Sequence, residues 1–306
     1  PPRSTLFPYT TLFRSAKTTL DFFFAWELMT AGSYFLIIRG KKSMPHALSY
    51  MLFSTGGAYL ILAGFGLAHV GQNSFSLDIL SNVHYYAPYI FTLMAIGFMT
   101  KLASIGLHIW LPGAHAEAEA DVSPMVSAIL LKAGVFGLIT LFLGMGQQTL
   151  WGIDVLYVLS WVGALTALMG NMMAAFQEDA KRLLAYSSIG FLGYALFGLS
   201  MMSHLGWLAA LSLVIMHFLF KALLFLAIGG VVMRTKTKYM YQMGGLIKNM
   251  PFTFISVLIA IIVIAGVPPL TGFGGKWIMY NAIMEKGWFF QAGIAFFAGV
   301  VAFLYC

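Results

Sequence analysis

A chain of 306 residues with 60% apolar and only 9% charged residues lies far from a soluble domain, in which about 25% of residues are charged. The single cysteine, Cys306, excludes a disulfide scaffold, and the apolar content excludes a disordered or collagenous chain. The net charge of +7 does not mark a nucleic-acid binder, because the basic residues fall in short gaps between apolar runs, a pattern that sets topology in a bilayer.

Residues 1–15, PPRSTLFPYTTLFRS, lack the order of a signal peptide and resemble translated adapter sequence, so they are set outside the fold as an artefact or disordered tail. A membrane helix needs about 20 largely apolar residues. That template predicts nine spans, over 20–38, 47–69, 86–110, 125–146, 153–175, 183–203, 207–233, 252–284 and 288–306. The first span begins almost at once and the chain stops inside the last, so both ends read as cuts through a longer protein. Barrel strands are excluded, since the runs lack alternation. The expected class is all-α, a polytopic transmembrane helical bundle.

Charge supports the count. The gaps after the first, fifth and seventh spans hold Arg39, Lys41, Lys42, Lys181, Arg182, Arg234, Lys236, Lys238 and Lys248, whereas the opposite gaps hold Lys286, with Lys17 ahead of the first span. The positive-inside rule makes the basic face cytoplasmic. The gap after the third span, on the same face, is acidic, with Glu117, Glu119 and Asp121; it reads equally as a cation entrance, a partner contact or a solvated loop.

Glu27, Lys101, Lys132, Lys221 and Lys276 fall inside the predicted spans, together with His217. A lysine at the bilayer centre costs roughly 2.5–3.5 kcal/mol on insertion scales, so such residues are expected to face the bundle interior. Snorkelling rescues a lysine only near a span end, and Lys101 and Lys221 lie near the middle of theirs. Desolvation disfavours the charged form of a buried amine, which lets it take and release protons near neutral pH, while a nearby carboxylate opposes that effect. Glu27 could therefore act as a switch on a lysine, or merely pin two helices as an ion pair. His217 and Lys221 are four apart and share one helix face, which suits a proton relay. Two spans carry prolines beside these groups: Pro112 in KLASIGLHIWLPGAH, and Pro268 and Pro269 in GVPPLTGFGGK. Broken helices at corresponding places suggest an ion path built from two inverted repeats of five helices. The repeats divide as 16–146, lacking its first helix, and 147–306, truncated at its end.

With these residues in view, the chain resembles the antiporter-like membrane subunits shared by respiratory complex I, membrane-bound hydrogenases and multisubunit cation/proton antiporters. The resemblance covers residues 22–305. It rests on FAWELMTAGSYFLI, KLASIGLHIWLPGAHAEAEADVSPMVSAILLKAGVFGL, EDAKRLLAYSSIGFLGY, HFLFKALLFLAIGGVV and GVPPLTGFGGKW, in order. It implies that Glu27 is the fifth-helix glutamate and Lys101 the seventh-helix lysine it modulates. Lys132 matches the eighth-helix lysine, His217 and Lys221 fall in the eleventh-helix motif, and Lys276 stands near the proposed exit. The stretch AEAEADVSP is more acidic than the AP-rich version in complex I subunits.

The resemblance implies a proton-translocating subunit, without redox chemistry of its own, within an energy-converting oxidoreductase complex of the NADH:quinone or membrane-bound hydrogenase type. Its expected setting is a prokaryotic cytoplasmic membrane, and its expected partners are other membrane subunits of the complex, the lipid bilayer and protons or Na+. The alternatives are a subunit of a multisubunit Na+/H+ antiporter and a membrane scaffold that transports nothing. No iron–sulfur cysteine cluster, phosphate loop or carboxylate array is present in the sequence, so no cofactor is expected. His84, His108, His115 and His204 lack metal-ligand spacing, so no metal is expected.

Overall fold

The computed structural model describes residues 16–83 and 86–306; the tail 1–15 and His84 lie outside the described residues. In chain order the helices are α1 (Thr19–Ile37), α2 (Met44–Gln72), α3 (Ala87–Leu102), α4 (Trp110–Glu117), α5 (Val122–Met145) and α6 (Val155–Ala175). They are followed by α7 (Ala180–Ser200), α8 (His204–Thr235), α9 (Pro251–Ala265), α10 (Thr271–Lys286) and α11 (Phe289–Tyr305). A two-stranded hairpin of β1 (Thr149–Leu150) and β2 (Ile153–Asp154) joins α5 to α6. The molecule is a polytopic helical membrane bundle. Among the described residues 5 helices, α2 and α5 to α8, are long and apolar enough to cross a bilayer alone.

The predicted third span is α3 and the loop after it, with a second half-helix, α4, running on beyond its expected end at 110, and the predicted eighth span is divided into α9 and α10. The causes of the two breaks differ. In the second, Pro268 and Pro269 stand in the gap between the half-helices. In the first, the chain leaves the helix at Ala103, with φ 60°, and turns at Gly106, with φ 80°. Pro112 lies beyond that break, in the first turn of α4, where its missing N–H leaves no intrahelical bond unmade. Pro112 therefore starts the second half-helix and does not make the break.

Polar residues set the helix starts. Thr18 caps α1, Asp154 caps α6, Asp179 caps α7 and Ser203 caps α8, each accepting a backbone N–H of the first turn. Glycine permits the closest crossings. A Cβ on Gly97 of α3 would stand 2.6 Å from the Gly57 carbonyl oxygen of α2, and one on Gly163 of α6 would stand 2.6 Å from the Phe197 nitrogen of α7. Without a hydrophobic drive between helices in lipid, such close backbone packing holds a bundle together. One buried apolar cluster gathers chiefly α1 to α5; a second gathers α7 to α11 with part of α6. α7 is the most deeply buried of the long helices.

The loops after α1, α4, α6 and α8 meet on one face. Arg39 pairs with Glu119 at 2.7 Å and with Asp121 at 3.2 Å. Lys238 pairs with Glu117 at 2.7 Å and with Asp179 at 3.2 Å. The acidic loop is thus neutralised by the basic ones. Lys181, grouped above with the loop cations, is buried in the first turn of α7 and donates to the Ala118 carbonyl at 2.8 Å.

Candidate functional site

Lys101 occupies the last turn of α3 and is 1% exposed. An ammonium has three N–H donors, and here it meets three hydroxyls: Thr30 of α1 at 2.9 Å, Tyr50 of α2 at 2.8 Å and Ser54 of α2 at 3.3 Å. The charge also lies 4.8 Å from the Tyr50 ring centroid and 5.7 Å from that of Trp26, within cation–π range. The break behind it is fixed by two further bonds. Trp110 Nε1 donates to the Thr100 carbonyl at 3.1 Å, and the Ile105 amide donates to Thr166 of α6 at 3.0 Å.

Glu27 lies within electrostatic reach of Lys101, but it does not close onto the amine: its Oε1 is buried without a hydrogen-bond partner. The hydroxyls already take all three donors, so a direct ion pair would have to displace one of them. Thr30, one turn from Glu27 on α1, stands on the side facing the lysine.

Lys132 of α5 makes the next link. Residues Val126–Leu130 form a π-helical segment, which shifts the hydrogen-bond register and presents the Ser127 carbonyl to Lys132 Nζ at 2.6 Å. The same Nζ meets His217 Nδ1 at 2.5 Å. The shared helix face of His217 and Lys221 does not make them partners. His217 turns to Lys132, whereas Lys221 donates to the Leu184 carbonyl at 2.9 Å and to the Ser187 hydroxyl. Serines complete the connection between them: Ser127 Oγ lies 3.1 Å from Ser188 Oγ, which donates to the same Leu184 carbonyl at 2.9 Å.

Lys276 projects from α10 toward the end of α9 and donates to the carbonyls of Ile264 at 3.0 Å and Ala265 at 3.3 Å. The last carbonyls of a helix lack intrahelical donors and carry partial negative charge, which holds a cation. Gly266, with φ 75°, ends α9 and leaves space for the amine.

Lys101, Lys221 and His217 are each 1% exposed or less, and Lys276 is 7% exposed, so none of them snorkels. The hydroxyl partners Thr30, Tyr50, Ser54, Ser187 and Ser188 were not singled out from sequence. Their one visible sign is hydroxyls recurring within apolar runs, as in the Ser187–Ser188 pair. His115, weighed above only as a metal ligand, is a further buried ionisable group. It is wholly buried in α4, stacked on Phe225 at 4.6 Å, with both ring nitrogens unpartnered.

Comparisons with known proteins follow the same outline. The chain is 35% identical over 286 residues to hydrogenase-4 component B of Escherichia coli strain K12, covering 86% of this chain and 42% of that protein. It is 33% identical over 296 residues to an NAD(P)H-quinone oxidoreductase chain 4 of Synechococcus sp. strain JA-3-3Ab, covering 93% of this chain and 56% of that protein. The chain thus spans about half the length of these curated relatives. Among solved structures, the membrane-bound sulfane sulfur reductase, an archaeal respiratory membrane complex, superposes with a TM-score of 0.88 at 31% identity, over 97% of this chain and 51% of that one. The Mrp complex from Dietzia sp. DQ12-45-1b shares the fold, with a TM-score of 0.86 at 22% identity, over 94% of this chain and 55% of that one. The profile of the NADH:quinone oxidoreductase/Mrp antiporter transmembrane family matches residues 16–302, and the chain belongs to that family.

Proposed function

We propose that the chain is the proton-conducting part of an antiporter-like subunit in an energy-converting oxidoreductase complex, and that Glu27, Lys101, Lys132, His217, Lys221 and Lys276 carry the proton. The observation that carries this reading is the polar row that starts at His217 and runs through Lys132, Ser127 and Ser188 to the Leu184 carbonyl, which also accepts from Lys221, flanked by two lysines buried at helix breaks. Names of relatives lend weight to the oxidoreductase setting, since hydrogenase-4 component B and an NAD(P)H-quinone oxidoreductase chain are both similar over most of this chain.

Each station can hold or pass one proton. In its charged form Lys101 donates to three hydroxyls; once neutral, it keeps two donors and its lone pair accepts from the Tyr50 hydroxyl in return. Lys132 Nζ and His217 Nδ1 are in direct contact, so protonation of one bears on protonation of the other and the two act as a coupled pair. A shift of Glu27 toward the Thr30 side of Lys101 would favour the ammonium, and a shift away would release the proton. Partner membrane subunits would drive that shift. The division into inverted repeats at residue 146 belongs to the same reading, as does the assignment of the basic face to the cytoplasm of a prokaryotic cell.

The test is Lys101→Ala and, separately, Lys276→Ala in the full complex, with protons pumped per electron measured in membrane vesicles. Either change is expected to lower the ratio while electron transfer continues. An unchanged ratio in both variants overturns the assignment.

A further inference from the structure

The loop between the half-helices α3 and α4 is irregular backbone inside the predicted third span, and such backbone persists at membrane depth only where protein or water meets its polar groups. Its one hydrogen bond to the second half of the chain, among the described residues, runs from the Ile105 amide to the Thr166 hydroxyl of α6 at 3.0 Å. Thr166 is 1% exposed and itself donates to the Val162 carbonyl at 2.6 Å. Lys101 stands one turn before Ile105, and the backbone between them is closed by the Ala103 and Ser104 amides on the Thr100 and Met99 carbonyls. α6 cannot move alone. A Cβ on Gly170 would strike the Gly190 backbone of α7, and one on Gly193 of α7 would strike that of Ala167, so together with the Gly163 crossing the two helices are interlocked. Roughly two turns from Gly193 along α7, the Leu184 carbonyl and the Ser187 hydroxyl accept from Lys221.

We propose that Thr166 is a positioning residue that joins the seats of two lysines: its hydroxyl ties the break after Lys101 to the α6–α7 pair, and that pair carries the acceptors of Lys221. The inference rests on the proton-translocation reading above and adds to it a mechanical link between two of its stations. Neutral Lys101 donates one bond fewer to its hydroxyl cage, so the last turn of α3 settles differently in the charged and neutral forms. Thr166 passes that difference to α6, and the interlocked glycines pass it to α7. The Leu184 carbonyl and the Ser187 hydroxyl then shift against Lys221, which is anchored on α8. Close-packed elements respond in this way as rigid pieces, since their contacts do not deform continuously. The tie is a firm one, because the Ile105 amide has no other partner among the described residues and an unpaired amide is strongly disfavoured in lipid.

The test uses the full complex in membrane vesicles, with proton translocation measured at fixed electron flux. Thr166→Val keeps the shape and removes the acceptor; it is expected to lower translocation about two- to thirtyfold, the span of an ordinary coupling position, with electron transfer and complex abundance retained. Thr166→Ser keeps the hydroxyl and is expected to restore translocation. Thr166→Cys, a weak acceptor of similar size, serves if Thr166→Val fails to assemble and is expected to act in the same direction; failure of both to assemble makes Thr166 a folding residue and overturns the proposal. Ser160→Ala removes an α6 hydroxyl that bonds only its own helix, at the Tyr157 carbonyl, and is expected to leave translocation unchanged. Thr166→Val combined with Ser187→Ala reads the link itself, since two changes along one path are expected to lower translocation less than the product of their separate effects. Full translocation in Thr166→Val, a Thr166→Ser variant as impaired as Thr166→Val, an equal loss in Ser160→Ala, or independent effects in the double variant overturns the positioning role. Lys101→Ala separates it from the reading beneath it: translocation indifferent to that change refutes the proton path, whereas translocation lost there and intact in Thr166→Val refutes the positioning role alone.

Discussion

The three hydroxyls around Lys101 come from two helices, and that fixes what a substitution should do. Tyr50→Phe removes the acceptor at 2.8 Å and keeps the ring 4.8 Å beneath the charge. Losing one partner of a buried charged donor costs about 1–3 kcal/mol. Tyr50→Phe is therefore expected to lower the thermal stability of the complex modestly and to slow proton transfer at Lys101, measured as pumping rate at fixed electron flux. Thr30→Val should act in the same direction and also weaken the response to Glu27, since Thr30 bonds Lys101 and stands one turn from Glu27 on α1. A Glu27→Gln change whose effect persists undiminished in the Thr30→Val background would show that the hydroxyl carries none of the coupling. The lysine itself was legible in the sequence, because a charge deep in an apolar run has few structural excuses. Its cage was not: Tyr50 lies 51 residues away along the chain, and a tyrosine in an apolar span looks like any other aromatic packing residue until the helices are brought together. The pairing of His217 was hidden for a related reason. Helical spacing places it beside Lys221, but which neighbour it turns to depends on α5, whose π-helical segment leaves no mark in the hydrophobic pattern.

The two broken helices hold their lysines by opposite arrangements. Lys101 belongs to the half-helix that ends at the break, whereas Lys276 reaches back from the second half-helix to the exposed carbonyls of the first. The first arrangement needs acceptors from neighbouring helices; the second uses the end of α9 itself. Gly266 makes the latter possible. A Cβ there would stand 3.1 Å from Lys276 Nζ, on a backbone with φ 75°. Gly266→Ala should therefore strain the turn by roughly 1–2 kcal/mol and push the amine off its carbonyls, with proton pumping falling more than complex abundance on a membrane immunoblot. A parallel fall in both would make Gly266 a folding residue only. The existence of both breaks was legible from proline content, but their placement was right only for the second. A proline scan finds residues that cannot continue a helix, and Pro112 can begin one. The actual break at Ala103 and Gly106 depends on a left-handed alanine, which local propensity gives no reason to expect.

Across the whole molecule, the ion pairs on the basic face connect the parts that the buried row runs through. Asp179 caps α7 with one carboxylate oxygen, accepting the Lys181 amide at 2.9 Å, and holds Lys238 with the other at 3.2 Å. Backbone bonds from Ala180 to Lys238 and from Met240 to Glu178, each 3.0 Å, tie the same two loops. Lys238 also reaches Glu117 at the end of α4, so one side chain links the first broken helix to the loop that precedes the second. Lys238 and Glu117 are 29% and 19% exposed, more sheltered than the Arg39 pairs, which marks the former as the stronger tie. Burial alone would pull the Lys238 amine down; the hydrogen bond to Glu117 and the charge of Asp179 outweigh it and hold the amine above its ordinary 10.5. A raised lysine stabilises the fold fully below the unfolded value and loses that contribution as pH climbs through the folded one. The tie should accordingly be indifferent to pH across neutrality and loosen only in strongly alkaline solution. Lys238→Glu places a like charge against Glu117 and Asp179 and should cost more than the ~1 kcal/mol of an ordinary surface pair. The double change Lys238→Glu with Glu117→Lys restores one attraction and leaves the repulsion with Asp179, so it should recover part of the loss. Thermal unfolding of the detergent-solubilised complex at neutral and alkaline pH reads all three forms. Equal melting of the single and double variants would show that Glu117 takes no part, and the tie on this face between the end of α4 and the later loops would then rest on the Lys181 bond to the Ala118 carbonyl.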